Sequence, residues 1–403
     1  MYSNLINFCF KGHTGAMNAF TKRALHYVLL AVTLVGIPFV CSLVGGKDET
    51  LELVKTIAPV TENWGSMPEK LWNCRCPFTW GPFWLMVAFL VVTVTPFVRR
   101  LVVNVLKGGT KVNSSPSPCT FTFPWWGWLA LVVMLVGWVL AWTRFEWFAA
   151  FQRYPYVIHW AGFIVLVNAL CVKRCGRSPL THHTGPFLLT FPASILFWWF
   201  FEYLNRYVWN WYYVGVPGIS ATEYVLFASL CFSSVLPGVT SVAALLGTFR
   251  CFSDDVYAGM AKVNVRSRAS LAVMFVLSLI GLTGIVFCPQ FTYPLLWISP
   301  LMVFILVQIA LREQCVLDTL ATGNWSLVFR FAIASLVCGL TWETWNYYSM
   351  AKWIYAVPYV HRFQVWEMPL VGFGGYLPFG MECAAVAAWI SPKLIALLEE
   401  DRT

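Results

Sequence analysis

Apolar residues in this chain run in blocks of about twenty, separated by short polar or basic clusters, rather than alternating along half-buried helices or strands. The blocks fall at roughly 24–46, 80–98, 124–143, 156–172, 186–208, 222–248, 269–288, 291–311, 326–349 and 365–391. Each approaches the ~20 residues needed to cross a hydrocarbon layer. The 156–172 block is short, and 269–288 and 291–311 are joined only by Pro289-Gln290. The pattern predicts an all-α polytopic membrane bundle of about ten transmembrane spans. The clearest linker is 108–123, where Gly108-Gly109-Thr110 and Ser114-Ser115-Pro116-Ser117-Pro118 are turn formers. It divides an N-terminal two-span segment, 1–107 with a loop at Lys47–Thr79, from a transmembrane domain at 124–392 and a charged tail at 393–403.

Two of these blocks repeat two others. Laid 141 residues along, Ala193–Ala244 matches Ala334–Ala385 without a gap, with identities that include Ser194/Ser335, Glu202/Glu343, Asn205/Asn346, Tyr207/Tyr348, Pro217/Pro358 and Pro237/Pro378. A Glu and an Asn inside apolar segments are expensive and usually have a task. An even number of spans separates the units, so they run in the same direction: a parallel two-helix repeat (193–244 and 334–385), related by an axis along the membrane normal.

On a helix, Ser194, Glu202 and Asn205 fall on one stripe, and Ser335, Glu343 and Asn346 draw the same stripe. Arg206 follows Glu202 by four residues, the spacing of a helical ion pair. Glu223 and Glu367 are expected to open the helices that follow, Glu382 sits deeper in the last span, and Pro237 and Pro378 are expected to kink their spans. Carboxyl groups in a low-dielectric site can act as acid and base. Glu202 and Glu343 are therefore the candidate catalytic residues. Asn205 and Asn346 would orient them, with Trp198, Trp209, Trp342, Trp345, Tyr348 and Glu367 as candidate substrate-binding residues. The same residues also admit structural roles, the Asn pair as glue between helices and many aromatics as an interfacial belt.

The chain is 59% hydrophobic and 11% charged, far from the ~25% charge of soluble domains. Its net charge of +9 raises nucleic acid as a partner. With a cytoplasmic N-terminus, however, most of the 27 Lys and Arg collect on the inner side, which fits the positive-inside rule and an N-in/C-in bacterial inner membrane protein. Membrane lipids are then the expected partners, and nucleic acid is not. The run from Ala24 reads as an uncleaved anchor. Among the 13 cysteines, Cys74 and Cys76 lie in the predicted outer loop. Cys171, Cys175, His182 and His183 cluster near one inner end without strong metal spacing, and packing accounts for them. Phosphate loops, paired Asp-rich prenyl-diphosphate motifs and His pairs at haem spacing are all missing, so no metal or cofactor is expected.

Phe200-Phe201-Glu202-Tyr203-Leu204-Asn205-Arg206 through Tyr213, and Trp366-Glu367-Met368-Pro369-Leu370 to Glu382-Cys383, resemble uncharacterised bacterial multi-pass membrane proteins over about residues 120–390. That resemblance brings no activity. Trp342-Glu343 also resembles the Trp-Glu pair of integral-membrane lycopene cyclases and related fungal terpene cyclases, built from helical units with a carboxylate in each half. The chain departs from them in lacking a doubled Glu after Pro and in having about three more spans. The reading that follows is a membrane enzyme performing acid/base chemistry on a lipid or isoprenoid. A proton- or cation-coupled transporter and a non-catalytic structural subunit are the alternatives.

Overall fold

Helix follows helix along the chain, and the ends of most are marked in the sequence. The computed structural model describes residues 19–46, 76–106, 121–216 and 218–396. The expected loop at 47–75 with Cys74, most of the 108–123 linker, the first 18 residues and the tail beyond 396 lie outside the described residues. The principal helices are α1 (Ala19–Ala31), α2 (Ile37–Val44), α3 (Trp80–Leu106), α4 (Trp125–Trp142), α5 (Pro155–Cys175), α6 (Thr184–Val208), α7 (Ala221–Phe232), α8 (Val235–Gly247), α9 (Arg268–Phe287), α10 (Ser299–Ala310), α11 (Ser326–Tyr347) and α12 (Tyr376–Ile390). A π-helical turn, Val32–Gly36, joins α1 to α2. Helix α5 starts on Pro155, whose missing N–H costs nothing in a first turn, and stops at Gly176 with φ +75°. Ser220 and Ser267 cap α7 and α9 by accepting from the backbone N–H three residues on.

Among the described residues, nine helical segments are long and apolar enough to cross a membrane. The predicted span at 291–311 is different. It is a bent pair, Pro289–Trp297 and Ser299–Ala310, broken at 50°. Pro294 and Pro300 each sit at the start of a new helical segment, where proline is tolerated, and so divide the run. Near Pro237 and Pro378 the regular α-helix is interrupted just before the proline, although Ala221–Gly247 and Leu370–Ile390 each remain a single apolar span. Ser233-Ser234 separates α7 from α8, and a 3-10 segment, Leu370–Gly375, precedes α12. Each proline is then the third residue of its helix, among N–H groups that have no helical partner anyway. Ser194 of α6 stitches the first break. Its Oγ donates to the Phe232 carbonyl (2.5 Å) and accepts from the Leu236 N–H (3.0 Å).

Helices α5, α8, α11 and α12 form the interior, with half or more of each span buried, whereas only 6% of the α3 window is. Trp160 of α5 is fully buried against Trp342 and Trp345 of α11 at centroid separations of 5.3 and 5.2 Å. Gly162 lets α5 approach the Met134 backbone of α4 where a side chain would collide.

Two short strands interrupt the helices, β1 (Trp211–Val214) and β2 (Lys352–Tyr355). They pair antiparallel, with Trp211 opposite Tyr355 and Tyr213 opposite Trp353. A small hairpin, β3 (Gln364–Val365) and β4 (Met368–Pro369), follows β2. The hairpin corrects the sequence-based boundary of the last span. Glu367 does not open a helix; it lies between β3 and β4 beside Trp366, which takes a positive φ of 56°.

Gly215 ends β1 with φ +77°, and a Cβ there would overlap the Met350 carbonyl. Gly215→Ala is therefore expected to cost about 2 kcal/mol or more. Gly185→Ala, in the first turn of α6 with open space around it, should stay within ~1 kcal/mol of wild type. Thermal midpoints of the two variants in one detergent check this.

Candidate functional site

The site begins with two asparagines. Asn205, near the end of α6, donates to the Trp211 carbonyl (2.7 Å) and accepts from the Asn210 N–H (2.9 Å). Asn346, near the end of α11, donates to the Trp353 carbonyl (2.7 Å) and accepts from the Trp353 N–H (2.8 Å). Each Asn thus behaves as a backbone edge and turns the departing chain into a strand. The reversal after α6 puts Trp209, a non-glycine residue, into the left-handed region at φ 53°. Side chains on a strand alternate, so Trp211 and Tyr213 share a face, as do Trp353 and Tyr355.

That face meets the two carboxylates. Glu202 Oε1 accepts from Tyr213 Oη (2.6 Å), Trp211 Nε1 (2.9 Å) and Trp198 Nε1 (3.1 Å). Glu343 Oε1 accepts from Tyr355 Oη (2.6 Å) and Tyr376 Oη (2.9 Å), while Trp353 Nε1 donates to Tyr355 Oη (2.8 Å). Glu343 is fully buried, and its second oxygen, Oε2, has no hydrogen-bond partner among the described residues. Neither carboxylate has a Lys, Arg or His in ion-pair contact among the described residues. The helical pair of Glu202 with Arg206 is not formed.

The two glutamates reach the same number of aromatic sources by different routes. One turn before Glu202 stands Trp198; one turn before Glu343 stands Gly339. The Tyr376 ring packs where a Gly339 Cβ would be, and its hydroxyl supplies the donor that Trp198 supplies to Glu202.

Beside these aromatic donors lies a cavity of about 540 Å³ with a predominantly apolar wall. The donors Trp198, Trp211, Tyr213, Trp353, Tyr355 and Tyr376 line it, and the two glutamates stand behind them. The N–H and O–H groups are spent on the carboxylates, so ring carbon faces the space. Leu85 and Phe89 of α3 line the cavity and are also 73% and 62% exposed, so it reaches the surface beside α3. Lys352, whose Nζ lies 2.6 Å from Glu367 Oε1, is the one charged lining residue among the described residues.

The structure therefore brings together Glu202, Glu343, Asn205, Asn346, Trp198 and Trp342, the last two in the cavity wall. Glu367 joins through Lys352. The expected orientation of the glutamates by the asparagines is corrected, since each Asn bonds the strand backbone instead. Trp209, Trp345 and Tyr348 do not line the cavity. Trp345 is packed against His159 (4.3 Å) and Trp160, and Tyr348 is 55% exposed against Trp142. Glu223 does start α7, where it accepts from the Tyr154 hydroxyl. Glu382 and Ser335 are buried without a side-chain hydrogen-bond partner among the described residues. Cys175 Sγ meets the Cys171 carbonyl, and His182 Nδ1 meets Thr181 Oγ1. Trp211, Tyr213, Trp353 and Tyr355 stand out in the sequence only as part of the aromatic crowding that reads equally as an interfacial belt or as the lining of an apolar or cationic site, and their role as donors to the glutamates was missed, as was Tyr376 altogether. The signal for the first four is a Trp-x-Tyr pair a few residues beyond each Asn.

Burial, and then the neighbouring glutamate, push the Tyr213 and Tyr355 phenols well above their ordinary value of 10.0. A raised folded-state value means that stability is full below pH ~10 and falls as pH rises above it, because the unfolded chain loses these protons first. Each Tyr→Phe change should remove about 1.4 kcal/mol per pH unit from that alkaline slope, read from denaturant melts at successive pH values. At neutral pH, Tyr355→Phe and Tyr376→Phe should each cost about 1–3 kcal/mol by leaving Glu343 one donor short, whereas Tyr348→Phe should cost nothing measurable. Thermal melts of the three variants decide this.

No protein-family model, curated protein or solved structure matches this chain, and the reading of the site rests on its geometry.

Proposed function

We propose that this chain is an integral membrane protein of two like halves that takes a lipid or isoprenoid chain into the cavity between them. The observation that carries this reading is the cavity itself. At about 540 Å³ it falls within the ~300–1,000 Å³ range of small-molecule sites, it is walled by aromatic carbon from both halves, and it opens beside a helix whose outer face is apolar. A hydrophobic chain entering sideways from the bilayer meets no polar barrier there. Nine apolar helices among the described residues support membrane insertion, and the basic bias of the inner segments supports N-in/C-in placement in a bacterial inner membrane.

The strand pairing supports a parallel repeat. Two helices running the same way and related by an axis along them present their departing strands antiparallel, with like residues in exchanged positions. Trp211 opposite Tyr355 and Trp353 opposite Tyr213 are such an exchange. Inverted units would put the strands at opposite ends.

Acid/base chemistry on the bound chain is the second reading. Glu343 is separated from the cavity by the phenols of Tyr355 and Tyr376, which donate to it, so a proton taken up at a phenol oxygen on the cavity side has a hydrogen-bonded route inward, the phenol passing its own proton to the carboxylate. Glu202 has the same relation to Tyr213.

Mass spectrometry of lipids held by the protein in native-lipid discs tests both readings. Wild type should enrich one lipid or isoprenoid species over the surrounding membrane. Ala228→Trp, which fills the cavity wall, should reduce that enrichment at least fivefold while the thermal midpoint shows that the protein remains folded. Bulk membrane lipid alone in wild type overturns the binding reading. A chemically altered species in Glu343→Gln supports acid/base chemistry, and an unaltered one counts against it.

A further inference from the structure

We infer that the cavity recognises a cationic head, a quaternary or fully alkylated ammonium group, on the molecule it binds. This inference rests on the cavity reading above and adds the charge of the ligand. Three independent features point to it. The first is the wall. Trp198, Trp211, Trp342, Trp353, Tyr355 and Tyr376 surround the space, and aromatic rings attract alkylated ammonium groups through their negative faces.

The second is what lies behind the rings. Indole N–H and phenol O–H groups that donate to a carboxylate are polarised by it, and the electron density of the ring rises. Five of these six side chains donate to Glu202 or Glu343 directly or through one hydroxyl; Trp342 alone does not.

The third is the missing countercharge. Glu343 has no cationic side chain in contact among the described residues, and its Oε2 is buried without a hydrogen-bond partner. Lys352 does not supply the charge, because it is held by Glu367 at 2.6 Å. Buried charges in proteins are ordinarily paired. A cation in the cavity, one aromatic layer away, provides the pairing that the fold omits. An alkylated ammonium fits better than a metal ion, since ring carbon offers it dispersion and electrostatic attraction but offers a metal no ligand atoms. The groups facing Glu343 from the elements around it are the phenols of Tyr355 and Tyr376, the Tyr156 phenol of α5 in the same cavity wall and, beyond β2, the Lys352–Glu367 pair. None of them is a free cation.

The test compares two esters of the same chain and nearly the same shape. Octanoylcholine carries the trimethylammonium head, and 3,3-dimethylbutyl octanoate replaces its nitrogen by carbon. Binding of each to the full-length protein in lipid discs is followed by quenching of tryptophan fluorescence, after correction for partition into protein-free discs. The cation should bind at least tenfold more tightly than the neutral ester. In Glu343→Gln that preference should fall below threefold. Equal affinities in wild type overturn the inference and leave the cavity reading standing, the missing countercharge then being a proton. Binding of neither ester overturns both. A preference that survives in a folded Glu343→Gln removes Glu343 from the recognition. Should that variant fail to fold, the wild-type ratio alone decides between a cationic and a neutral head.

Discussion

Two carboxylates placed inside an apolar bundle must be given hydrogen-bond donors, and the rest of this structure is organised around that need. Glu202 and Glu343 sit within the last two turns of α6 and α11, where no helical backbone donor is free to reach them. The chain answers by folding back at once. Each helix ends three or fewer residues beyond its Asn, the Asn amide grips the departing backbone, and the strand so formed swings aromatic donors over the glutamate. A donor lost from such a group leaves an unsatisfied buried oxygen, which costs more than the bond itself contributes. That asymmetry explains why Trp209 accepts a left-handed backbone to close the turn.

The cavity follows from the same arrangement. The paired strands sit across the ends of both helices, and the next helix in each half cannot begin until the chain has returned from the strands. It is interrupted at Ser233-Ser234 after the twelve residues of α7 on one side, and opens through the 3-10 segment Leu370–Gly375 on the other. Both prolines then fall at first-turn positions where no hydrogen bond is lost. The aromatic wall is therefore backed on one side by carboxylates and on the other by helix breaks, and volume remains between them.

Much of this was legible in the sequence, and the part that was not has a clear physical origin. Block length gave the helices, because an apolar run of about twenty residues has few other uses. The Glu and Asn pairs stood out because polar residues are rare in such blocks. What periodicity could not reveal was the partner of each. A helical wheel relates Glu202 to Arg206 and Asn205, its neighbours on α6. The actual donors, Trp211 and Tyr213, lie beyond a chain reversal whose register is set by an amide grip rather than by hydrophobic pattern. The break at 298 and the hairpin around Glu367 were hidden for a related reason. Proline and glycine there were read within a long apolar run, where length outweighed them.

The two halves differ in a way that bears on why the glutamates are there. If Glu343 were a tolerated relic of an older duplication, nothing would hold its donor set together once its neighbours changed. Yet at the position of Trp198 the second half carries Gly339, and at the position of Val235 it carries Tyr376. The two replacements are complementary: the glycine vacates the space that the tyrosine ring fills, and the hydroxyl restores the donor that the indole had provided. Either change alone would leave a hole beside the carboxylate or drive a ring into the helix. Packing alone would be satisfied by an apolar ring at 376. The hydroxyl, and its aim at Glu343 Oε1, is what packing does not require. The arrangement is better explained by a demand for a hydrogen-bonded carboxylate at this place than by a demand for filled volume. The same argument extends to Oε2 of Glu343, for which the described residues supply no hydrogen-bond partner.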